Sequence, residues 1–234
     1  MIIFSSAMGK SGSTFICNLQ EDMLALSGVR SGQAQLRKIF GGRFVERFHA
    51  HTVFILLFVN YFFGSIVVKT HTPPSRLIRW LIRNQIAIAT YSYRDIRDVI
   101  LSALDHGARN RKSGNISGLF ANLFTVEDAL IVGLDSIKEM QKWLDFGVVH
   151  FIQYENLMND RLNELNRFAD FMGWQIPENS LKAVIQNHED TKTLSHNFNK
   201  GTTQRYIKEM TIMEQQLCKV NFHDYLIDFG YEKS

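Results

Sequence analysis

Four short apolar runs, each separated from the next by helical patterns, constrain the fold of this chain more than any other feature. The runs cover residues 2–4, 65–69, 86–93 and 148–153. The clearest helical patterns cover residues 15–26, 75–83, 96–104, 126–146 and 162–172. Strands that alternate with helices are typical of a mainly parallel sheet with helices on both faces. We therefore predict one three-layer α/β domain that spans residues 1–234.

Composition and charge narrow the classes of partner and the expected compartment. The formal net charge of +3 is too small to indicate a nucleic-acid partner, and it suits an anionic small ligand. Cys17 and Cys218 form no spaced cluster, so neither a zinc site nor a disulfide framework is predicted. The start of the chain lacks the features of a signal peptide, and we expect a cytoplasmic protein.

The segment from Thr52 to Val68 is apolar enough to raise the alternative of a membrane span. It is slightly short for that role, and Asn60 and Gly64 interrupt it. A buried helix that ends at Gly64 and runs into a β-branched strand explains the segment better. We therefore predict no membrane span.

The loop after the first strand reads SSAMGKSGSTF over residues 5–15 and contains the Gly-Lys-Ser end of an ATP-binding P-loop. The full motif requires a glycine at position 4, where Phe4 stands. A small-residue loop at a helix N-terminus still directs backbone N–H groups and the positive end of the helix dipole at an anion. Lys10 adds charge, and hydroxyl donors come from Ser11, Ser13 and Thr14. A P-loop-like phosphate site is predicted; a simple N-capped helix is the alternative.

Other polar residues follow the second and third predicted strands. Lys69 and His71 close the second strand, and Arg94 closes the third. The carboxyl ends of strands meet ligands in open α/β sheets, so these side chains are candidates for one site. Ser102 lies about two helical turns after Arg94 and reaches the same anion if the helix runs past the site.

In sequence, these segments resemble the sulfotransferases that use 3′-phosphoadenosine 5′-phosphosulfate (PAPS), especially the cytosolic type that acts on small molecules. The opening loop resembles the family's 5′-phosphosulfate loop, usually read as Pro-Lys-Ser-Gly-Thr-Thr-Trp. Lys69-Thr70-His71 resembles the catalytic segment, and the spacing of Arg94 and Ser102 is similar to the 3′-phosphate motif.

Two further segments carry the same resemblance. Tyr154-Glu155-Asn156-Leu157 resembles the segment whose tyrosine lies near the adenine, and residues 199–201 resemble the Arg-Lys-Gly near the family's C-terminal end. The five motifs occur in the family's order over most of the chain. The cofactor-binding residues that this implies are Lys10, Ser11, Gly12, Ser13, Thr14, Phe15, Arg94, Ser102, Tyr154, Asn199, Lys200 and Gly201.

The resemblance also implies a direct in-line transfer that yields PAP and requires no metal, and the sequence contains no metal-ligand cluster. His71 would be the general base that deprotonates a hydroxyl or amine of the acceptor. Lys10 would stabilise charge on the bridging oxygen, and Lys69 would neutralise the transferring group. Ser102 would contact the 3′-phosphate and temper Lys10, and Phe15 would stack on adenine in place of the family's tryptophan.

Departures from the family pattern leave several questions open. Asn199 stands where the family usually has arginine, so one phosphate contact is lost and Lys200 would compensate. The dimerisation pattern after Gly201 is only partly present, which leaves the oligomeric state open. Because the chain starts just before the first strand, we expect an open acceptor pocket and a bulky or polar natural product as acceptor. A cationic acceptor would require nearby carboxylates such as Asp105, Glu127 and Asp128.

Two alternatives to a sulfotransferase remain at this point. One is a P-loop-type kinase of nucleotides or small metabolites. The other is a catalytically degenerate nucleotide-binding module, which Asn199 makes conceivable although Lys10 and His71 argue against it.

Overall fold

The computed structural model describes residues 1–118, 120–190 and 201–233. Its sheet has four parallel strands in the order β2-β1-β3-β4. The strands are β1 (Ile2–Ala7), β2 (Ile66–Thr70), β3 (Ala87–Tyr93) and β4 (His150–Gln153). The predicted fold class, a mainly parallel three-layer α/β structure, is confirmed.

Helices cover both faces of the sheet. The bounds of those in the first half are α1 (Ser13–Leu26), α2 (Gln33–Phe40), α3 (Ala50–Phe63), α4 (Arg76–Arg83) and α5 (Ile96–Lys112). Those that follow are α6 (Val126–Leu144), α7 (Tyr154–Asn159), α8 (Arg161–Met172), α9 (Glu178–Asp190), α10 (Tyr206–Glu209), α11 (Ile212–Asn221) and α12 (His223–Asp228).

Alternate residues of the strands enter two separate cores. Phe4 and Val68 belong to the face that packs against α3 to α6 and the C-terminal helices. Ile3 and Val67 belong to the opposite face, which packs against α1, α8 and α9. Since successive strand residues point to opposite faces, strands that are buried on both sides read as continuous apolar runs.

The order of the strands creates a crevice beside β1. The chain passes from β1 to β2 on one side and then to β3 on the other side of β1. Helix α1, after β1, packs in one core, and α5, after β3, packs in the other. The carboxyl ends of β1 and β3 therefore form a topological switch point, the place where open α/β sheets bind ligands.

One local prediction was wrong. Residues 106–117 were predicted as a loop, but α5 continues to Lys112. Arg111 in the last turn donates hydrogen bonds to the carbonyls of Ala121 and Leu123, at 2.7 and 2.8 Å. A Cβ on Gly107 would lie 2.0 Å from the carbonyl oxygen of Phe120, so this glycine permits the close approach of the following segment.

The apolar segment that raised the membrane alternative forms α3 and β2. Helix α3 ends before Gly64, whose φ of +111° and close approach to the Arg30 carbonyl exclude a side chain. Within the described ranges, no helix is both long enough and apolar enough to cross a bilayer.

Candidate functional site

A cavity of about 890 Å³ lies at the carboxyl ends of the strands. The loop between β1 and α1, the ends of β2 and β3, and helices α5, α6 and α9 all contribute to its lining. Its position is the crevice that the switch in strand order creates. The predicted convergence of the strand ends on one site is therefore observed.

The opening loop leads into α1 through Gly12. This residue has a φ of +80° and provides no side-chain cap to α1. A Cβ at this position would lie 2.7 Å from the Tyr154 ring. No side chain caps α1, although Ser13 and Thr14 lie in its first turn as the alternative of a simple N-capped helix expects. The helix N-terminus opens on the cavity, where an anion would be stabilised.

Ser11 does not provide the ligand hydroxyl that the sequence predicted. Its side chain is buried, and its Oγ is hydrogen-bonded to the Met8 carbonyl at 2.7 Å and to Ser92 Oγ at 2.9 Å. The hydroxyl fastens the loop to β3 and does not line the cavity. The adjacent hydroxyl-bearing residues Ser13 and Thr14 do line it.

Lys10 lines the cavity and pairs with a histidine. Its Nζ lies 3.3 Å from His106 Nδ1, so the ammonium donates to a neutral imidazole. Burial, followed by the charge of Arg109, lowers the pKa of Lys10 to about 8. Burial and the charge of Lys10 also lower the pKa of His106, which keeps that ring in its accepting form.

Lys69 reaches the opening loop from the end of β2. Its Nζ donates to Thr14 Oγ1 at 2.8 Å and lies 5.9 Å from the centre of the Phe44 ring. Burial lowers its pKa as well. Two cationic side chains, Lys10 and Lys69, therefore line one cavity with the N-terminus of α1.

His71 has one ring nitrogen engaged by the backbone. Its Nδ1 lies 2.9 Å from the carbonyl oxygen of Ala7, which can only accept, so Nδ1 carries the proton and Nε2 is unprotonated. The ring is accessible within the cavity. Desolvation lowers the pKa of His71 below its ordinary value; the Ala7 carbonyl opposes this shift, and the charges of Lys69 and Lys10 add to it.

Arg94 is buried at the end of β3 with most of its guanidinium engaged. Nη2 donates to Asp98 Oδ2 at 2.8 Å and to the Thr202 carbonyl, and the guanidinium stacks 4.4 Å from the centre of the Tyr154 ring. Nε is buried and has no hydrogen-bond partner among the described residues, and Glu155 Oε1 lies 4.0 Å away. Arg94 also lines the cavity, so its guanidinium places positive charge beside any anionic ligand bound there.

The structure brings together most of the residues that were predicted from the sequence. Those that line the cavity at the strand ends are Lys10, Gly12, Ser13, Thr14, Phe15, Lys69, His71, Arg94, Ser102, Tyr154 and Gly201. Asn199 and Lys200 lie outside the described residues, and Ser11 points elsewhere.

The sequence analysis missed His106 and the polar face of α6. His106 follows Ser102 by four residues, a spacing that would have placed both on one helical face if α5 had been extended. The carboxylates that line the cavity are Glu46, Asp135 and Glu139. The suggested carboxylates Asp105, Glu127 and Asp128 are not among the lining residues; Asp105 accepts from Arg205 at 2.8 Å.

Across residues 1–118, 120–190 and 201–233, no group of three or more His, Cys, Asp or Glu side chains is arranged to hold a metal ion.

The fold and the site define an α/β protein with a cavity at the switch point of a parallel sheet, lined by Lys10, Lys69 and the N-terminus of α1. Residues 64–224 match the family model described as a sulfotransferase domain. This match covers more than half of the chain, and the chain belongs to the sulfotransferase family. The predicted family is confirmed. The opening loop lies before the matched residues. A search of curated proteins found no match.

Solved structures of similar fold include three relevant examples. A mouse sulfotransferase, SULT7A1, complexed with PAP aligns with a TM-score of 0.67 at 14% identity, over 96% of this chain and 84% of that chain. A retinol dehydratase in complex with androsterone and inactive cofactor PAP aligns with a TM-score of 0.64 at 15% identity, over 97% of this chain and 81% of that chain. A sulfotransferase domain from the curacin biosynthetic pathway aligns with a TM-score of 0.54 at 13% identity, over 94% of this chain and 96% of that chain. At these identities the similarity is one of fold.

Proposed function

We propose that this chain transfers a sulfuryl group from PAPS to a hydroxyl of a small molecule, with His71 as the general base. One observation carries the proposal: an imidazole whose Nε2 is unprotonated lines the same cavity as Lys10 and the N-terminus of α1. PAPS supplies the sulfuryl group and leaves as PAP. Similar folds hold PAP in the mouse sulfotransferase and in the retinol dehydratase, which supports this donor.

The residues around the cavity suit a ligand with two separate anionic groups. The loop from Lys10 to Thr14 offers backbone donors, an ammonium and hydroxyls for the 5′-group. Arg94 and Ser102 are the candidates for the 3′-phosphate. Part of the charge of Arg94 is compensated by Asp98, so its contribution comes from directed hydrogen bonds as well as from charge.

Aromatic side chains fit the adenosine part. Tyr154 packs against Gly12 and under Arg94. Phe15 lines the cavity with its ring perpendicular to that of His188, and their centres are 5.6 Å apart. A flat base can stack on either ring.

His71 would take the acceptor proton at Nε2. The hydrogen bond from Nδ1 to the Ala7 carbonyl fixes the tautomer and the orientation of the ring. A lowered pKa keeps the imidazole neutral at physiological pH, which is the form a base requires.

Lys10 and Lys69 would stabilise the negative charge that develops on the donor. Hydrogen bonds within the protein hold both ammonium groups in place. Lys10 donates to His106, and Lys69 donates to Thr14. Preorganised charges of this kind avoid the cost of reorientation during the reaction.

The decisive first experiment compares the affinity of the protein for PAP with its affinity for ATP and magnesium, by calorimetry. The proposal requires tighter binding of PAP; a preference for magnesium-ATP would instead support a kinase. Sulfuryl transfer is then assayed with PAPS over a broad set of hydroxyl and amine acceptors. Tight binding of PAP without transfer to any acceptor would support the degenerate binding module.

A further inference from the structure

One wall of the cavity is acidic, and helix α6 forms it. Val132, Asp135, Ser136 and Glu139 line the cavity, and their spacing places them on one face of the helix. Glu46 lines the cavity as well. This wall contrasts with the cationic groups that the opening loop and the ends of β2 and β3 contribute. The cavity thus combines a cationic region with carboxylates that the sulfuryl donor does not need.

Tyr91 gives this wall an unmet polar group. Its side chain is 1% exposed and lines the cavity, and its hydroxyl has no hydrogen-bond partner among the described residues. Ser6, which pairs with Tyr91 in the register of β1 and β3, also has a buried and unpartnered hydroxyl. A buried polar group without a partner is costly, so such groups mark places where a ligand can form hydrogen bonds.

Glu139 contributes a third unmet atom. Its Oε2 is buried and has no partner, whereas its Oε1 accepts from Lys142 at 2.6 Å. The Lys142 side chain is half exposed, and an exposed pair of this kind contributes little. Burial, and then the charge of Glu139, raises the pKa of Tyr91, and both residues line the cavity.

We propose that the α6 wall binds a protonated amine of the acceptor, so that the substrate class is a hydroxyl compound that carries a cationic amino group. Glu139, whose side chain is 36% exposed, and the buried Tyr91 hydroxyl would meet the amine after a local adjustment of their side chains. Asp135 and Glu46 supply further negative charge. This inference rests on the proposed function and specifies its acceptor.

The chemistry of the unmet atoms favours an ammonium over other groups. An ammonium has three donors and no acceptor, and a carboxylate oxygen can only accept. A phenol oxygen can accept from the same ammonium. An anionic acceptor would be repelled by three carboxylates, and a neutral one could donate to Glu139 Oε2 without matching the negative charge of this wall.

The test uses pairs of probes that differ only in this charge. Tyramine, glucosamine and 4-aminocyclohexanol, each with its N-acetyl derivative, are titrated into the protein with and without PAP. We expect at least one amine to bind at least about tenfold more tightly than its N-acetyl partner, the effect of one charge-assisted contact. Glu139→Gln should remove most of that preference, and Tyr91→Phe should reduce it.

Glu127→Gln is the matched control, since it makes the same change on α6 at an exposed residue that does not line the cavity. It should keep the preference of the wild type. If no amine in the panel outbinds its N-acetyl partner, or if the preference survives in Glu139→Gln, the inference is wrong. Thermal melts verify that the variants fold, and Asp135→Asn is the second variant should Glu139→Gln prove unstable.

Failure of the inference can be told apart from failure of the proposed function. Absence of PAP binding and of sulfuryl transfer would contradict the sulfotransferase reaction, whatever the probes do. Binding of PAP and transfer to an acceptor, without any preference for the charged probes, would contradict the amine subsite alone.

Discussion

The ring of Tyr154 lies where a side chain at position 12 would have to be. Gly12 has a φ of +80°, and a Cβ built on it would approach the ring to 2.7 Å. The same ring supports the Arg94 guanidinium at 4.4 Å. The glycine of the opening loop is therefore required by both backbone conformation and space, and this contact joins the loop to the end of β3.

Gly12→Ala should destabilise the fold by more than the cost of its backbone conformation. A left-handed conformation costs an alanine about 1–2 kcal/mol, and the clash with Tyr154 adds to it. Gly28→Ala is the matched control, because Gly28 has a φ of +73° but no atom within 4 Å of its Cβ position. Chemical denaturation measures both. Equal losses in the two variants would show that the ring moves away without cost.

His71→Ala should abolish turnover while leaving the affinity for PAP nearly unchanged. Loss of a general base typically lowers the rate by about 10²- to 10⁴-fold. The proposed role of the ring is toward the acceptor, so its loss should not weaken nucleotide binding. Steady-state kinetics and calorimetry with PAP separate these effects, with His51→Ala as a control outside the cavity. A variant that kept its rate, or lost PAP binding, would contradict the assignment.

The pH profile of transfer should rise on the acid side through the pKa of His71. The active form is the neutral imidazole, so the rate increases as the proton leaves. Desolvation within the cavity lowers this pKa. The pH at which the rate is half-maximal should therefore fall below the ordinary value of about 6.5. The profile of kcat/KM measures it. If the rate instead rises with a midpoint above pH 6.5, the protein stabilises the charged form of the imidazole, which would contradict this prediction.

Affinity for PAP should weaken as pH rises through about 8. The Lys10 ammonium has a pKa of about 8 in the free protein and loses its proton there, and a neutral amine attracts an anion poorly. Lys10→Arg stays charged over this range and should give a flatter dependence. Calorimetric titrations at several pH values test this, with Lys38→Arg on α2 as control. Identical profiles for wild type and Lys10→Arg would rule out the role.

Arg94→Ala should reduce discrimination between PAP and adenosine 5′-monophosphate, which lacks the 3′-phosphate. We expect PAP to lose about 1.5–3 kcal/mol, the scale of a hydrogen bond to a charged group, and the monophosphate to lose little. Asp98 would remain buried without its partner, so stability should fall too. Equal losses for both nucleotides would indicate an effect through folding alone.

The strands and the position of the site could be predicted because they depend on local patterns. Buried parallel strands read as apolar runs, and β3, predicted at residues 86–93, spans Ala87–Tyr93. The polar residues after those runs gather at one edge of the sheet for the same geometric reason. The positions of His71 and Arg94 at this edge could therefore be predicted without knowledge of the packing.

Other parts of the site depend on contacts between distant segments, which no local pattern reveals. The stripe that includes Asp135 and Glu139 looks like a solvent-exposed helical face in the sequence, and only the packing of α6 against α5 and β3 turns it toward the cavity. Ser11 belongs to the loop motif, but its partner Ser92 is 81 residues away. Its role could not be read from the motif.

The hydroxyl of Ser11 has a kinetic consequence. Because it ties the turn to Ser92 and to the Met8 carbonyl, protein groups alone can fix the shape of the turn during folding. The nucleotide then meets a receptor that is already assembled. Its capture should proceed in a single concentration-dependent phase in stopped-flow traces, with no slow isomerisation after the encounter.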